Sequence, residues 1–235
     1  MPIDFGIRIP IFSKPDESAL VTKVTKSLNE LCEHLRHLGV TATVLDRGLP
    51  EVKELLDAIE GRAYIKIEGR NLDLIKGDHM YVQESDFGRG SGGTKSQCFY
   101  NYVLRGKVDA THTFQRARAN WLMPQTLDYL AEGKSIKKGF IRKEVVDYRW
   151  EGRELAQLLN ADSNLKNMLM KERVGDMWIA YKHDGIVEYV EIGPFIGYWL
   201  EKKSFPTRDA FEAYDRIAYH IRSIMKAKKT GGKGE

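Results

Sequence analysis

Residues 177–192 read MWIAYKHDGIVEYVEI and give the clearest structural signal in the chain. Apolar residues recur on both sides of Asp184-Gly185, a pair that favours the type I′ turn of a tight hairpin. Two antiparallel strands are therefore predicted here. An antiparallel hairpin among helices is typical of the α+β class, so this stretch determines the predicted fold class.

Amphipathic helices are predicted on both sides of this hairpin. Apolar residues recur at three- and four-residue spacing between Leu20 and Leu38, and again between Phe211 and Ile224. Shorter helical patterns cover residues 52–59, 127–130, 155–159 and 165–169. The triplet Asn160-Ala161-Asp162 offers a stop for one helix and an N-cap for the next.

Period-two patterns predict strands in the first half of the chain. Residues 63–116 are interpreted as an antiparallel meander, with Gly77-Asp78 as a hairpin turn and residues 108–114 returning beside 98–104. Shorter strands are predicted at residues 7–11 and 40–45. Together with the helices between them, these strands allow a βαβ unit.

The predicted fold is α+β, with antiparallel sheet segments, a meander and a hairpin, covered by four or five amphipathic helices. Residues 1–118 form a predicted N-terminal part, 119–144 a helix and basic connector, and 145–228 a C-terminal helix–hairpin–helix part. The Lys- and Gly-rich residues 229–235 are predicted to be disordered. The apolar stretch 192–200 is interpreted as buried, with a patch for homo-oligomerisation as the open alternative.

Composition limits the class of protein. The 235 residues are 42% hydrophobic and 30% charged, which excludes collagen-like and wholly disordered chains. No apolar run approaches the roughly 20 residues that cross a bilayer, so no membrane partner is expected. The two cysteines, Cys32 and Cys98, cannot build a disulfide framework. A reduced, cytoplasmic location is therefore predicted.

Positive charge is concentrated in the middle of the chain. Residues 61–150 hold sixteen basic and ten acidic residues, whereas the formal net charge of the whole chain is +4. This local excess indicates a local anion site rather than a whole surface that coats nucleic acid. Simple solvation of exposed strand faces by long basic side chains remains the alternative.

The segment 88–95, GRGSGGTK, is the main candidate for binding. Its glycines let backbone N–H groups converge, while Arg89 and Lys95 add positive charge and the hydroxyl residues add donors, which are the ingredients of an anion site. The predicted ligand-binding residues are Gly88, Arg89, Gly90, Ser91, Gly92, Gly93, Thr94 and Lys95, with Arg105, Lys107, Arg116 and Arg118 from the strands that follow.

This segment differs from the P-loop of nucleoside triphosphatases. Gly88 and Gly93 have the P-loop separation, but Thr94 stands before Lys95, and a strand rather than a helix is predicted to follow. Three interpretations stay open for the segment: a connection without a ligand, a contact to the phosphates of a nucleotide or nucleic acid, and a lid over an active site.

Aromatic residues are interleaved with the cations that follow the Gly-rich segment. Stacking aromatics beside cations on one sheet face are typical of single-stranded nucleic acid binding. Tyr100 and Tyr102, however, share the parity of Leu104 along the strand. This parity predicts that both tyrosines belong to the core rather than to a binding platform.

The sequence carries no serine hydrolase or metalloprotease signature. Its six histidines do not cluster; His34 and His37 are interpreted as a solvated helix flank, and neither a metal site nor a cofactor is assigned. Should the protein be an enzyme, His79 or His112 is the candidate acid–base residue.

The sequence thus predicts a non-enzymatic, intracellular protein that binds a phosphate-bearing ligand, such as nucleic acid, through the basic Gly-rich segment. Two alternatives are kept. One is an enzyme acting on a small anionic substrate, with the Gly-rich segment as its lid. The other is a structural or interaction protein without a small ligand.

Overall fold

The structure of the chain is a computed structural model, and it describes residues 17–59, 61–83, 94–118, 125–138, 144–183, 188–193 and 205–226. The helices are α1 (Glu17–His37), α2 (Pro50–Ala58), α3 (Glu154–Ala161), α4 (Ser163–Lys171) and α5 (Arg208–Lys226). The strands are β1 (Thr41–Val44), β2 (Ala63–Glu68), β3 (Leu74–Gln83), β4 (Thr94–Arg105), β5 (Phe114–Arg118), β6 (Gln125–Lys138), β7 (Glu144–Gly152), β8 (Met177–His183) and β9 (Glu188–Gly193).

All nine strands belong to one antiparallel sheet. Its order is β1-β2-β3-β4-β9-β8-β6-β5, and β7 also pairs with β6. The predicted α+β class is confirmed, whereas the predicted covering of the sheet by four or five helices is not. The hairpin β8–β9 joins the meander through β4, so strands from both predicted parts share one sheet. The division of the chain into these parts stays a prediction.

The strongest sequence patterns are confirmed. β8 and β9 pair in antiparallel register from Trp178–Gly193 to His183–Glu188. The apolar stripe of α1 is buried from Leu20 to Leu35, and Leu38, just after the helix, is partly buried. The stripe of α5 is buried from Phe211 to Ile224. The predicted α2 is also present, and β2, β3 and β4 form the expected meander.

The short helix predicted at residues 127–130 is wrong, because these residues lie in β6. This strand pairs with β5 and β7 along one edge and with β8 along the other. The basic residues 134–138, interpreted as a connector, lie in the same strand. Pairing along both edges satisfies the backbone of β6 and overrides a weak local preference for helix.

The turn predicted at Gly77-Asp78 is also wrong, since both residues lie within β3. Glycine has a packing reason at this position: a Cβ on Gly77 would come within 2.8 Å of Leu28 Cδ1 on α1. The missing side chain therefore lets α1 approach the sheet closely.

Two predicted pairings are corrected as well. The predicted return of residues 108–114 beside β4 is replaced by a short 3₁₀ helix, Ala110–His112, and by β5, which pairs with β6. The place beside β4 is taken by β9. The βαβ unit is absent from the described β1-α2-β2 segment, because β1 and β2 are antiparallel.

The two faces of the sheet have separate apolar cores. On one face, side chains of α1, α3, α4 and α5 pack with Ile65, Ile75 and Tyr102 in the larger core. On the other face, α2 packs against a smaller cluster that includes Tyr64 and Val103. Neighbouring residues of one strand thus serve different cores, as the pleat of a strand requires.

Several predictions fall outside the described residues. These are the strand at 7–11, the turn at Asp184-Gly185, most of the apolar stretch 192–200 and the tail 229–235. Among the helices within the described ranges, none is long and apolar enough to cross a membrane.

Asp162 joins α3, α4 and α5, and its N-cap role is confirmed. Its Oδ1 accepts a hydrogen bond from the Leu165 backbone N–H at 3.0 Å. Its Oδ2 lies 2.8 Å from His220 Nε2 and contacts the Arg216 guanidinium, both on α5. Burial alone would raise the pKa of the Asp162 carboxyl, but hydrogen bonds from Arg216, His220 and Leu165 lower it to about 2.

We expect this junction to lose stability in acid. Because the folded-state pKa of Asp162 lies below its unfolded value, the ionised carboxylate stabilises the fold above about pH 4, and this contribution is lost as the pH falls toward about 2. The shift corresponds to about 2 kcal/mol. The free energy of unfolding, measured by urea titration across this pH range, should fall less steeply for Asp162→Asn than for the wild type. Parallel curves for the two proteins would contradict this assignment.

Candidate functional site

The predicted binding residues that the structure describes do not form one compact site. Gly88–Gly93 lie outside the described residues, and Thr94 and Lys95 begin β4. Arg105 ends the same strand. Ten residue steps of an extended strand separate Lys95 from Arg105, which is about 33 Å. A single phosphate group therefore cannot contact both ends of β4.

The four predicted cations beyond the Gly-rich segment lie toward one end of the sheet. One row of paired residues crosses the sheet from β4 to β5, through Leu104, Val190, Tyr181, Asp128 and Gln115. The strands β4 and β5 run in the same direction, and Arg105 and Arg116 are the residues that directly follow Leu104 and Gln115. Four strand spacings, about 19 Å, separate the two backbone positions.

The interleaved tyrosines are core residues, as their parity predicts. Tyr102 is fully buried and packs on Tyr214 with ring centroids 4.3 Å apart. Tyr100 is also buried. A binding platform for bases therefore does not include these two residues.

The central strands carry a buried ionic network on the opposite face, the face of α2. At its centre is the Glu191 carboxylate on β9, which has no exposed surface. Lys76 Nζ from β3 and Asn101 Nδ2 from β4 both lie 2.5 Å from Glu191 Oε1. Lys182 Nζ from β8 lies 2.8 Å from Oε2. Four adjacent strands thus each contribute one side chain to a single cluster.

The charges in this network determine the state of Glu191. Burial alone would raise the pKa of the Glu191 carboxyl, but the positive charges of Lys76 and Lys182 outweigh burial and lower it. The glutamate is therefore ionised at neutral pH. With two ammonium groups facing one carboxylate, the cluster has one excess positive charge, and Lys182 remains 27% exposed.

Positive charge continues from this network along the sheet. Tyr189 on β9 is the cross-strand partner of both Lys182 and Arg105. Directly opposite residues lie on the same face of a sheet, so the two cations flank Tyr189 at about two strand spacings, or 10 Å. Arg105 is exposed, and Lys107 just beyond it is 75% exposed while paired with Glu188 at 3.0 Å.

Sequence reasoning missed Lys76, Asn101, Lys182 and Glu191. The signal was a charged residue inside an apolar strand: Glu191 stands between Val190 and Ile192, and Lys76 follows Leu74-Ile75. A charge in such a run is costly to bury unless it is paired. The pairing of Glu191 with Lys76 and Lys182 could not be predicted from the sequence, because it depends on which strands become neighbours in the sheet.

Of the two candidate acid–base histidines, His112 does not join this network. His112 Nδ1 contacts Glu154 at 2.9 Å. The side chain of His79 lies outside the described set. The part of the chain that the structure describes contains no cluster of His, Cys, Asp or Glu suited to a metal ion.

A groove of about 400 Å³ lies between α4, α5 and the turn after β2. Its charged residues are engaged in pairs: Glu212 contacts Arg70 at 3.0 Å, and Arg216 contacts Asp162. Asp215 accepts from the Asn71 backbone N–H at 2.7 Å. These contacts tie α5 to its neighbours, so the groove is assigned to the fold rather than to a ligand.

Comparison of the chain with protein-family models, curated proteins and solved structures gave no match. The functional interpretation therefore depends on the chemistry of the described side chains.

The buried network predicts a strong effect of neutralising its acid. Glu191→Gln leaves the buried Lys76 ammonium without its counter-charge, which should cost about 3–5 kcal/mol in free energy of unfolding. Urea denaturation at neutral pH measures this. The matched control is Glu188→Gln on the same strand, which removes the partly exposed ion pair with Lys107 and should cost about 1 kcal/mol or less. Equal effects of the two variants would show that Lys76 does not depend on Glu191.

Proposed function

We propose that the protein binds a phosphate-bearing polymer, nucleic acid, through cations placed along and across the central strands. The proposal includes the Gly-rich segment at one end of β4, Arg105 and Lys107 at the other end, and Lys182 on the same face as Arg105. It also includes the cytoplasmic location that the cysteine content predicts. The observation that carries it is the spacing of these cations.

The spacing favours a polymer over a small ligand. The basic positions lie about 10 Å apart across the strands and about 33 Å apart along β4, so no single small anion reaches all of them. The phosphates of nucleic acid recur every few ångströms along the strand, and their charge dominates affinity. At the duplex rise of about 3.4 Å per nucleotide, about ten nucleotides cover the length of β4, and a more extended single strand needs fewer.

The described cations are available to such a ligand. Arg105 is exposed, and the ion pair between Lys107 and Glu188 is largely solvated. Exposed pairs contribute about 1 kcal/mol or less, so phosphate can displace Glu188 from Lys107 at little cost. Lys182 contacts Glu191, and 27% of its side chain is exposed.

Affinity for nucleic acid should fall steeply with salt. Binding of a fluorescein-labelled 20-nucleotide single strand, measured by anisotropy between about 50 and 200 mM salt, tests this because phosphate contacts release counterions. The double variant Arg105→Ala, Lys107→Ala should weaken binding and lower the slope of log affinity against log salt by about 1 to 2.

The matched control is Lys26→Ala, an exposed lysine on α1 at the opposite face of the sheet. It removes one positive charge from the protein and should leave both affinity and slope close to wild type. Absence of binding at low salt overturns the proposal. Because the control removes one charge and the double variant removes two, a loss about half as large in Lys26→Ala would mean that only the net charge matters.

The two alternatives from the sequence, an enzyme with a Gly-rich lid and an interaction protein, stay predictions. No contact among the described residues favours either over binding.

A further inference from the structure

Trp178 lies on the face that carries the candidate cations. It is half-buried on β8 and is the cross-strand partner of Gly193. A Cβ on Gly193 would come within 2.6 Å of Trp178 Cζ2 and 2.7 Å of Asn101 Oδ1. Glycine at this position therefore lets the indole pack directly on the sheet, beside the residue that hydrogen-bonds Glu191.

Trp178 and Lys182 are four residues apart on one strand and share its face. This places their backbone positions about 13 Å apart, with only the small Ala180 between them on that side. An aromatic ring at one position and a partly exposed lysine at the other can receive the base and the phosphate of a nucleic acid strand.

The cations lie beside Lys182 rather than beside Trp178. Arg105 shares a row with Lys182 through Tyr189, so this end of the pair of positions is cationic. Phosphates are therefore assigned to Lys182, and the stacked base is assigned to the aromatic ring of Trp178.

From this juxtaposition we propose that the nucleic acid is single-stranded, with a base stacked on Trp178 and a backbone phosphate at Lys182. This inference rests on the proposed function and adds the class of nucleic acid to it. In a duplex the faces of the bases are covered by their neighbours, whereas an unpaired strand offers them to an aromatic side chain.

The experiment compares three probes of about 20 nucleotides each: a single strand of mixed sequence, an abasic strand with the same number of phosphates, and a duplex. Anisotropy at fixed low salt should give the wild type about tenfold higher affinity for the single strand than for the abasic strand. Trp178→Leu keeps an apolar side chain over Gly193 and should abolish this difference. In a separate series between about 50 and 200 mM salt, its salt slope should equal that of the wild type, because no phosphate contact is lost.

Tyr219→Leu is the matched control, since this aromatic residue is 58% exposed on α5, away from the cations. It should retain the wild-type preference for the single strand. Equal affinity for the single and abasic strands, or equal or tighter binding of the duplex, overturns this inference while leaving the proposed function intact. Failure of all three probes to bind at low salt overturns the proposed function itself.

Discussion

The central sheet depends on the ionic contacts of one buried carboxylate. Glu191 is surrounded by Lys76, Asn101 and Lys182, which come from three other strands. A buried charge without partners would cost several kcal/mol, so these strands must stand in one order and register for the cluster to form. A shift of one residue would turn Glu191 toward the larger apolar core on the other face. We infer that the network specifies pairing among β3, β4, β9 and β8.

The same constraint separates the roles of the two faces. One face packs large apolar side chains, including Tyr102, against α1 and α5. The other presents the ionic network next to the smaller cluster under α2. Positive charge therefore continues from the buried Lys76 through Lys182 to the exposed Arg105. The candidate binding surface is the exposed continuation of a network that is required inside the fold.

Local structure could be predicted from the sequence where the pattern was long or its turn residues were specific. The stripes of α1 and α5, the β8–β9 hairpin and the N-cap at Asp162 all follow local rules. The pairing of β9 with β4 could not be predicted, because it joins residues about ninety positions apart and no local signal encodes it. Gly77 was misread for a related reason: its small size serves contact with the distant Leu28 rather than a turn.

The candidate site also combines residues that the sequence identifies with residues that only the fold reveals. The exposed Arg105 and Lys107 were identified from the sequence, because a cluster of charged residues can be recognised without knowing their partners. Lys182 and Trp178 were missed, because their importance comes from neighbours on other strands: Glu191 beside one and Gly193 beneath the other. A search of the sequence for charges and motifs therefore identifies exposed cations more readily than cations that are held in place by contacts with other strands.

The restraint of Lys182 by Glu191 affects how strongly this lysine could bind a ligand. A free lysine side chain loses about 1.5–2 kcal/mol of conformational entropy when it is fixed. Lys182 is already restrained by its contact with Glu191, so less of this loss remains to oppose binding at that position than at Lys107, which is mostly exposed. The buried carboxylate thus stabilises the sheet and also restrains one partly exposed lysine. A phosphate at Lys182 would be repelled by Glu191, and the neighbouring Lys76 would offset this repulsion from within the sheet.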